Sequence, residues 1–332
     1  MRNTPTNFAM SLVALFSLTA FNLPFSKGAQ AQAYPSKTVR WLIPSSPGGA
    51  FDIMTRGLAP AVSEQMGQTF FVDNIGGAGG NIALQTVARA EPDGYTILTA
   101  GTSQLVFNRF FYNDPGFDAM TDFKGVAQLG DLPIALWAYK SVPVTNFKEL
   151  VAYMKANPGK LNYGSSGIGH LFHLGMAMLD DKIGIRAVHV PYKGVGPAVR
   201  DFLSGRLELI FSVAQRPVMA AWKAGDIRPL VGGTDRRLKQ LPDVPTFNEE
   251  GIPGMDIPNW VGLVVPAAVP PEIVTRLNRE VLKATESPVA VKTYQGMAMD
   301  VVKSTPEEFE EKYKREIRQW GPFIGKLGIK PQ

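Results

Sequence analysis

The sequence predicts an α/β protein of two lobes, each a mostly parallel sheet flanked by helices. Three observations predict it. Strands, glycine turns and amphipathic helices alternate between Tyr34 and Leu98, which implies parallel strands covered by helices. A second unit of the same strand, glycine turn and helix pattern opens near Asn146. At 332 residues, the chain is longer than a single hydrophobic core usually serves.

Met1 to Ala33 reads as a secretory signal, with Arg2 in a short polar start, an apolar core from Ala9 to Phe21 and small residues from Ala29 to Ala33. That core falls short of the roughly 20 residues a membrane-spanning helix needs, so export with cleavage near Ala33 is expected rather than anchoring. No other stretch is apolar enough to span a bilayer. The chain has no cysteine, which excludes disulfide scaffolds, thiol catalysis, cysteine metal sites and a lipid anchor on cysteine. Without the signal, 32 basic and 29 acidic residues leave a net charge of +3, too mild and dispersed for nucleic acid.

Val39, Trp41, Leu42 and Ile43 form the first expected strand, and Met54, Leu58, Val62 and Met66 recur every four residues along one face of the following helix. Between them lies Pro44-Ser45-Ser46-Pro47-Gly48-Gly49-Ala50-Phe51-Asp52. A strand feeding a helix through Gly48-Gly49 aims free N–H groups and a positive dipole end at whatever sits in the turn, so carboxylates and phosphates are its natural guests. A strand at Thr69–Val72, a helix at Asn81–Ala90 and a strand at Tyr95–Leu98 continue the lobe. Asp114-Pro115-Gly116-Phe117-Asp118 is turn chemistry, and Val126–Leu129 is a short strand that leaves the lobe.

The second lobe opens with a helix capped by Asn146 and Glu149, with Phe147, Leu150, Val151 and Met154 buried. Then come Leu161-Asn162-Tyr163, the turn Gly164-Ser165-Ser166-Gly167-Ile168-Gly169-His170, a helix at Leu171–Leu179 and a strand at Ala187–Val190. Asp201–Leu203, Leu207–Phe211 and Arg228–Val231 extend this lobe, and Trp260–Val265 is an apolar strand of the first lobe's character. Pro270-Pro271 opens a helix with Ile273, Leu277 and Val281 inward, and Thr305-Pro306-Glu307-Glu308 is a capping box with proline in the first helical position. Phe309, Tyr313, Ile317 and Trp320 stripe that last helix. The expected division is a signal at 1–33, one lobe from 34–129 and 235–332, and the other from 130–234. Two crossings near Leu129 and Thr234 make a hinge over a cleft, where a ligand binds.

Each lobe therefore presents one helix N-terminus, and a closed cleft brings both onto one anion, with Ser45, Ser46, Ser165 and Ser166 supplying hydroxyls. The plainer alternative is that both are αβ turns that need positive φ. Gly77-Ala78-Gly79 is followed by Ile82 where a dinucleotide fingerprint needs glycine, and no phosphate loop is present. Ile168 likewise breaks a Gly-x-Ser-x-Gly elbow. His170, His173 and His189 are the three histidines; His170 and His173 could share a helix edge, but no carboxylate in the same turn completes a metal site. Asp52, a possible general base, sits where a carboxylate caps a helix, and His173 reads as packed behind the site. Lys193 is either solvated or paired with an acid.

The ordered series of motifs resembles the substrate-binding proteins of the tripartite tricarboxylate transporter system, the Bug or TctC-type extracytoplasmic receptors. It runs through Tyr34-Pro35, Pro44 with Gly48-Gly49 and Asp52, Asp73-Asn74 before Gly77-Ala78-Gly79-Gly80, and Pro92-Asp93-Gly94-Tyr95-Thr96. It continues with Leu161-Asn162-Tyr163, Ser165, Gly167, Gly169, His173-Leu174 and Val190-Pro191-Tyr192-Lys193-Gly194, then Pro242-Asp243-Val244-Pro245-Thr246-Phe247, Gly251, Trp260 and Gly262-Leu263. The resemblance implies a Venus-flytrap fold of the type II periplasmic class that closes on a small organic acid and delivers it to membrane permease subunits. It implies carboxylate contacts from Gly48, Gly49 and Asp52 and from Ser165, Gly167 and Gly169, partly through water, with Thr102, Ser103 and Tyr192 as further ligand-binding positions. A periplasmic monomer without cofactor or metal is the expectation.

The chain departs from the family's pattern at Ser45, where an aromatic residue is usual, at Phe51, where a small one is, and at His170, where serine or threonine is. These letters imply an altered ligand, with Phe51 offering an apolar wall for an aromatic or bulky body. The alternatives are an exported enzyme using Asp52 or His170 as acid–base groups, and a metal receptor using the histidines.

Overall fold

The computed structural model describes Met1 and residues 34–329; the expected signal and its cleavage point at Ala33 lie outside the described residues. In chain order the first elements are β1 (Val39–Ile43), α1 (Ala50–Met66), β2 (Phe70–Asn74), α2 (Asn81–Ala88) and β3 (Thr96–Gly101). A π-turn at Ser103–Phe107 runs into the short α3 (Asn108–Phe111) before β4 (Phe123–Asp131). The middle of the chain holds β5 (Ile134–Tyr139), α4 (Phe147–Ala156), β6 (Asn162–Ser165), α5 (Leu171–Ile183), β7 (Val188–Pro191), α6 (Val195–Leu203), β8 (Leu209–Val213), α7 (Arg216–Lys223) and β9 (Ile227–Gly232). The last third holds β10 (Trp260–Pro266), α8 (Pro271–Ala284), α9 (Pro288–Gly296), β11 (Asp300–Val301) and α10 (Pro306–Lys326).

These strands form two sheets, in the order β11-β4-β10-β3-β1-β2 and β7-β6-β8-β5-β9. In the first, β1 is parallel to β2 and β3, while β10 is antiparallel to both β3 and β4, so β4 runs with β1 to β3 and only β10 and β11 oppose them. In the second, β6, β7 and β8 are parallel and β5 alone runs against its neighbours β8 and β9. Both sheets are thus mostly parallel, and each takes its reversed strand from the segment that follows a crossing between lobes.

Helices cover both faces, and the central strands read as continuous apolar runs for that reason. Trp41, Leu42 and Ile43 are fully buried, as are Met54, Leu58 and Val62 on the face that α1 turns to the sheet. Trp41 donates its indole N–H to Thr99 at 2.9 Å, which satisfies the one polar atom it brings into the core. On α10, Phe309, Tyr313 and Ile317 are buried, and Trp320 meets Phe107 edge-on at 5.1 Å.

Both predicted helix starts are present, with one difference. Thr305 and Glu308 form a complete capping box, whereas Asn146 accepts from the Glu149 N–H while the Glu149 carboxylate reaches one residue further back, to the N–H and hydroxyl of Thr145. The sequence reading lacks β5, the helical stretch 103–111, α7, α9 and β11. The β5 sequence is apolar throughout, and all but its last residue are buried, so it lacks the alternation that marks a half-exposed strand.

The connection from β9 to β10 also differs from expectation. The sequence reading groups 235–259 with the first lobe, yet Phe247 packs against Phe147 and Phe211, Thr246 bridges to Gly232, and Lys182 donates to the Pro253 carbonyl, all on the second sheet's layers. Among the described residues, no helix is long and apolar enough to cross a membrane.

Candidate functional site

Gly48 has φ +80°, which turns the chain out of β1 and into α1. Asp52, at the third helical position, folds back so that its carboxylate accepts from the Gly48 N–H at 2.8 Å. Arg56, one turn on, donates to the other Asp52 oxygen at 2.7 Å and to Asn74 at 2.9 Å, and Asn74 donates to the Ser45 carbonyl at 3.1 Å. Burial raises the Asp52 pKa, but the Gly48 N–H, Arg56 and Asn74 outweigh it and hold the carboxyl below its ordinary value. The negative charge at the positive end of α1 is therefore the chain's own.

The other first-lobe candidates lie around this turn. Ser46 and Gly48 are exposed, and Gly49 caps α1. The Ser45 hydroxyl is buried with no hydrogen-bond partner among the described residues. Phe51 lays its ring on Gly101, where a Cβ would come within 2.6 Å of the ring tip. Buried Thr102 accepts from the Trp260 N–H at 3.1 Å, and buried Ser103 opens the π-turn.

The second-lobe turn is built by side chains beneath it. The Ser165 hydroxyl donates to the Gly167 carbonyl at 2.9 Å, accepts from the Gly167 N–H at 3.1 Å and lies 2.7 Å from His189 Nε2. Because its own proton is on the Gly167 carbonyl, Ser165 accepts from His189, whose Nε2 carries a proton. His173 Nδ1 accepts from the Gly169 N–H at 3.0 Å, which requires an unprotonated nitrogen there. The His173 and His189 rings stack at 4.2 Å, and Tyr163 covers the far face of His189 at 4.9 Å.

Burial, with a smaller push from His173, lowers His170 and His189 to about 4, and burial alone lowers His173. His170 is the N-cap of α5, but its Nδ1 is buried and unpartnered among the described residues, like the Ser166 hydroxyl. Among the described residues, no three His, Asp or Glu side chains converge to hold an ion.

Gly169 joins the lobes. It has φ +77°, and a Cβ there would stand 2.2 Å from Phe111, so α3 of the first lobe seats directly on the second-lobe turn. Beside this contact lies a cavity of about 310 Å³. Its first-lobe wall is Gly79, Asn108, Phe111 and Tyr112; its second-lobe wall is the turn from Ser166 to His170, with Tyr192 and Lys193. Of the predicted positions, Ser166, Gly167, Gly169, His170 and Tyr192 line this cavity, and Ser165 lies beneath it. Ser45, Ser46, Gly48, Gly49, Phe51, Asp52, Thr102 and Ser103 do not line it.

Sequence reasoning missed Gly79, Asn108, Phe111 and Tyr112. The Asn108 amide donates to the Gly79 carbonyl at 3.1 Å and to Asn81, which pins the Gly77–Gly80 turn against α3. The available signal was the aromatic run Phe110-Phe111-Tyr112 directly after a glycine-rich turn's partner segment. A larger cavity, of about 550 Å³, lies on the hinge side, where Glu316 accepts from the Trp260 indole N–H at 2.7 Å. Burial raises Glu316 to about 7 against the opposing pull of that bond and of Lys312.

With this geometry in place, the model of the tripartite tricarboxylate transporter family receptor matches residues 54–329. The chain belongs to that family. The receptor is 34% identical over 302 residues to the UPF0065 protein in the tcbD-tcbE intergenic region of Pseudomonas sp. strain P51, covering 90% of this chain and 89% of that one. The solved structure of Rpa4515 from R. palustris with adipate is 33% identical, covers 90% of the receptor and 100% of its own chain, and superposes with a TM-score of 0.81. MatC from Rhodopseudomonas palustris with bound malate is 26% identical, covers 88% and 100%, and has a TM-score of 0.78. The receptor has the two-lobed fold of the periplasmic binding proteins, as the series of motifs implied.

Proposed function

We propose that this receptor is exported to the periplasm, closes its lobes on a small carboxylated molecule and hands it to membrane permease subunits of the tripartite tricarboxylate type. One observation carries the reading: the turn from Ser166 to His170 brings to the cavity two buried polar atoms without partners among the described residues, Ser166 Oγ and His170 Nδ1, and Lys193 lines the same cavity. Buried polar atoms are normally satisfied, so a polar ligand group completes them. Adipate and malate in the two solved relatives support an organic acid as that ligand.

The receptor acts as a monomer, without cofactor or metal. Turnover of the acid is not part of its role: Asp52 is held by Gly48 and Arg56 and lies off the cavity.

The experiment is mass spectrometry of small molecules released from freshly purified protein, followed by calorimetry against mono-, di- and tricarboxylates. One acid class binds and is recovered unchanged if the reading holds. Absence of binding by every class, or conversion of the bound acid, overturns it.

A further inference from the structure

The strand orders make the molecule a lever. The chain crosses between lobes at the end of β4 and the start of β10, where Asp131 pairs with Trp260. The two crossings are tied together: the Leu132 N–H donates to the Asn259 carbonyl at 2.7 Å, and the Asn259 amide donates to the Leu132 carbonyl at 2.8 Å. They are the axis about which the lobes turn. In the first sheet, β3, β1 and β2 lie on one side of this axis and β11 on the other; in the second, β8, β6 and β7 lie on one side of β5 and β9 on the other. Phe111, which follows β3, meets Gly169, which follows β6, so the 310 Å³ cavity occupies one arm of the lever.

The other arm has a contact of its own. Asp300 of β11, opposite Asp131 across the ladder, accepts from Lys239 at 2.7 Å and has Arg236 at 3.7 Å, both from the segment after β9. Two residues earlier, Ala298 is buried in the second lobe's apolar cluster, which includes Leu238 and Leu241. The cavity of about 550 Å³ is walled by Asp131 and Trp260 at the crossings and by Asp300 and Arg236 beyond them, so the far arm has room to move. None of Asp300, Lys239 and Arg236 lines the 310 Å³ cavity.

Rotation that opens the ligand arm brings the far arm together, and rotation that closes it draws the far arm apart. An attraction on the far arm therefore works against closure. We propose that the ion pairs of Asp300 with Lys239 and Arg236 are a counterpoise: they bias the empty receptor towards an open cleft and set how readily the lobes close. Lys239 is 74% exposed, so the bias is a screened surface interaction, a fewfold shift rather than a lock.

The test uses the absence of cysteine, which lets nitroxide labels be placed only at Phe71→Cys and Val188→Cys. Both side chains are exposed, on β2 and β7, the outermost strands of the ligand arm in the two sheets. Pulsed electron resonance reads their separation in the full mature receptor, shown by mass spectrometry to carry no small molecule. Asp300→Lys puts like charges on the far arm and is expected to raise the ratio of short to long separations about threefold over the wild type. Asp300→Asn, which removes the attraction without adding repulsion, shifts the ratio the same way by less. Adding Lys239→Glu to Asp300→Lys returns the ratio most of the way, and about 1 M sodium chloride shrinks the difference. Melting curves verify that each variant is folded. An unchanged or longer separation in both Asp300 variants, or a shift that neither Lys239→Glu nor salt reverses, overturns the counterpoise. The measurement involves no ligand, so its failure leaves the receptor reading as it stands.

Discussion

Gly169 of the second lobe lies flat against the ring of Phe111 of the first, with no room for a Cβ between them. Glycine is required there twice over, by the left-handed backbone and by the ring 2.2 Å from where a side chain would begin. Gly169→Ala is therefore expected to destabilise the closed arrangement by about 1–3 kcal/mol. Calorimetry should show a loss of about tenfold or more in ligand affinity. Phe111→Ala in the same chain should restore part of the loss, because the two residues share one contact. Strictly additive effects would show that the lobes do not close through this pair.

The histidines and Glu316 set opposite pH dependences. His170 and His189 fall from 6.5 to about 4, so between those values the unfolded chain binds more protons and stability rises with pH. Their contribution is present above pH 6.5 and is lost as pH falls towards 4; His173 moves in the same direction. Glu316 rises from 4.5 to about 7, so its contribution is present below 4.5 and is lost as pH climbs through 7. Denaturant midpoints measured from pH 4 to 8 should rise more steeply in Glu316→Gln than in the wild type. A parallel pair of curves would mean that Glu316 titrates normally.

His173 gives acidification a second reading, at the ligand rather than in stability. Its Nδ1 must be unprotonated to accept from the Gly169 N–H, so acid should release the turn and weaken binding. His173→Gln, whose side-chain oxygen can accept the same bond without titrating, should bind with a flatter pH profile. An unchanged profile would assign the pH response to another group.

Asp52→Asn removes an ion pair to Arg56 and the charge at the start of α1. The expected cost is about 1 kcal/mol, from the helix-end and capping terms together. A melting curve reads it, and a variant as stable as the wild type would mean that Arg56 and Asn74 hold the turn alone.

The Ser45 hydroxyl is buried without a partner among the described residues, so Ser45→Ala removes a polar group that gains nothing from them. Stability should be unchanged or higher by up to about 1 kcal/mol. A drop of similar size in denaturant titration would reveal a bond that Ser45 makes in solution.

Much of this was legible from residues alone. The Val39–Ile43 run, the four-residue spacing on α1 and the Thr305 box carry strong local signals, and each forms where it was read. The second-lobe turn was also found, because Gly164 to His170 interrupts a clear strand-to-helix pattern. Ile134–Tyr139 was missed because full burial erases alternation, and 235–259 was misplaced because a proline- and glycine-rich path has no periodicity to say which sheet it follows. Phe111 and Tyr112 enter the site through tertiary packing of a four-residue helix, which no spacing rule reaches. The Gly48–Asp52 turn shows the converse: its pattern was plain, and the Asp52 carboxylate accepts from the Gly48 N–H within it.

The position of β10 carries a consequence for how the molecule comes into being. It lies between β3 and β4, so the first sheet has a gap in its middle until residue 260 and those beyond it arrive. The second sheet draws all its strands from Ile134 to Gly232, and the Thr246–Phe247 segment that packs on it also precedes β10. A chain emerging from its N-terminus therefore completes its inner lobe first and its outer lobe last, with the earliest strands left exposed longest. Truncation before Trp260 removes the keystone of the half that was made first.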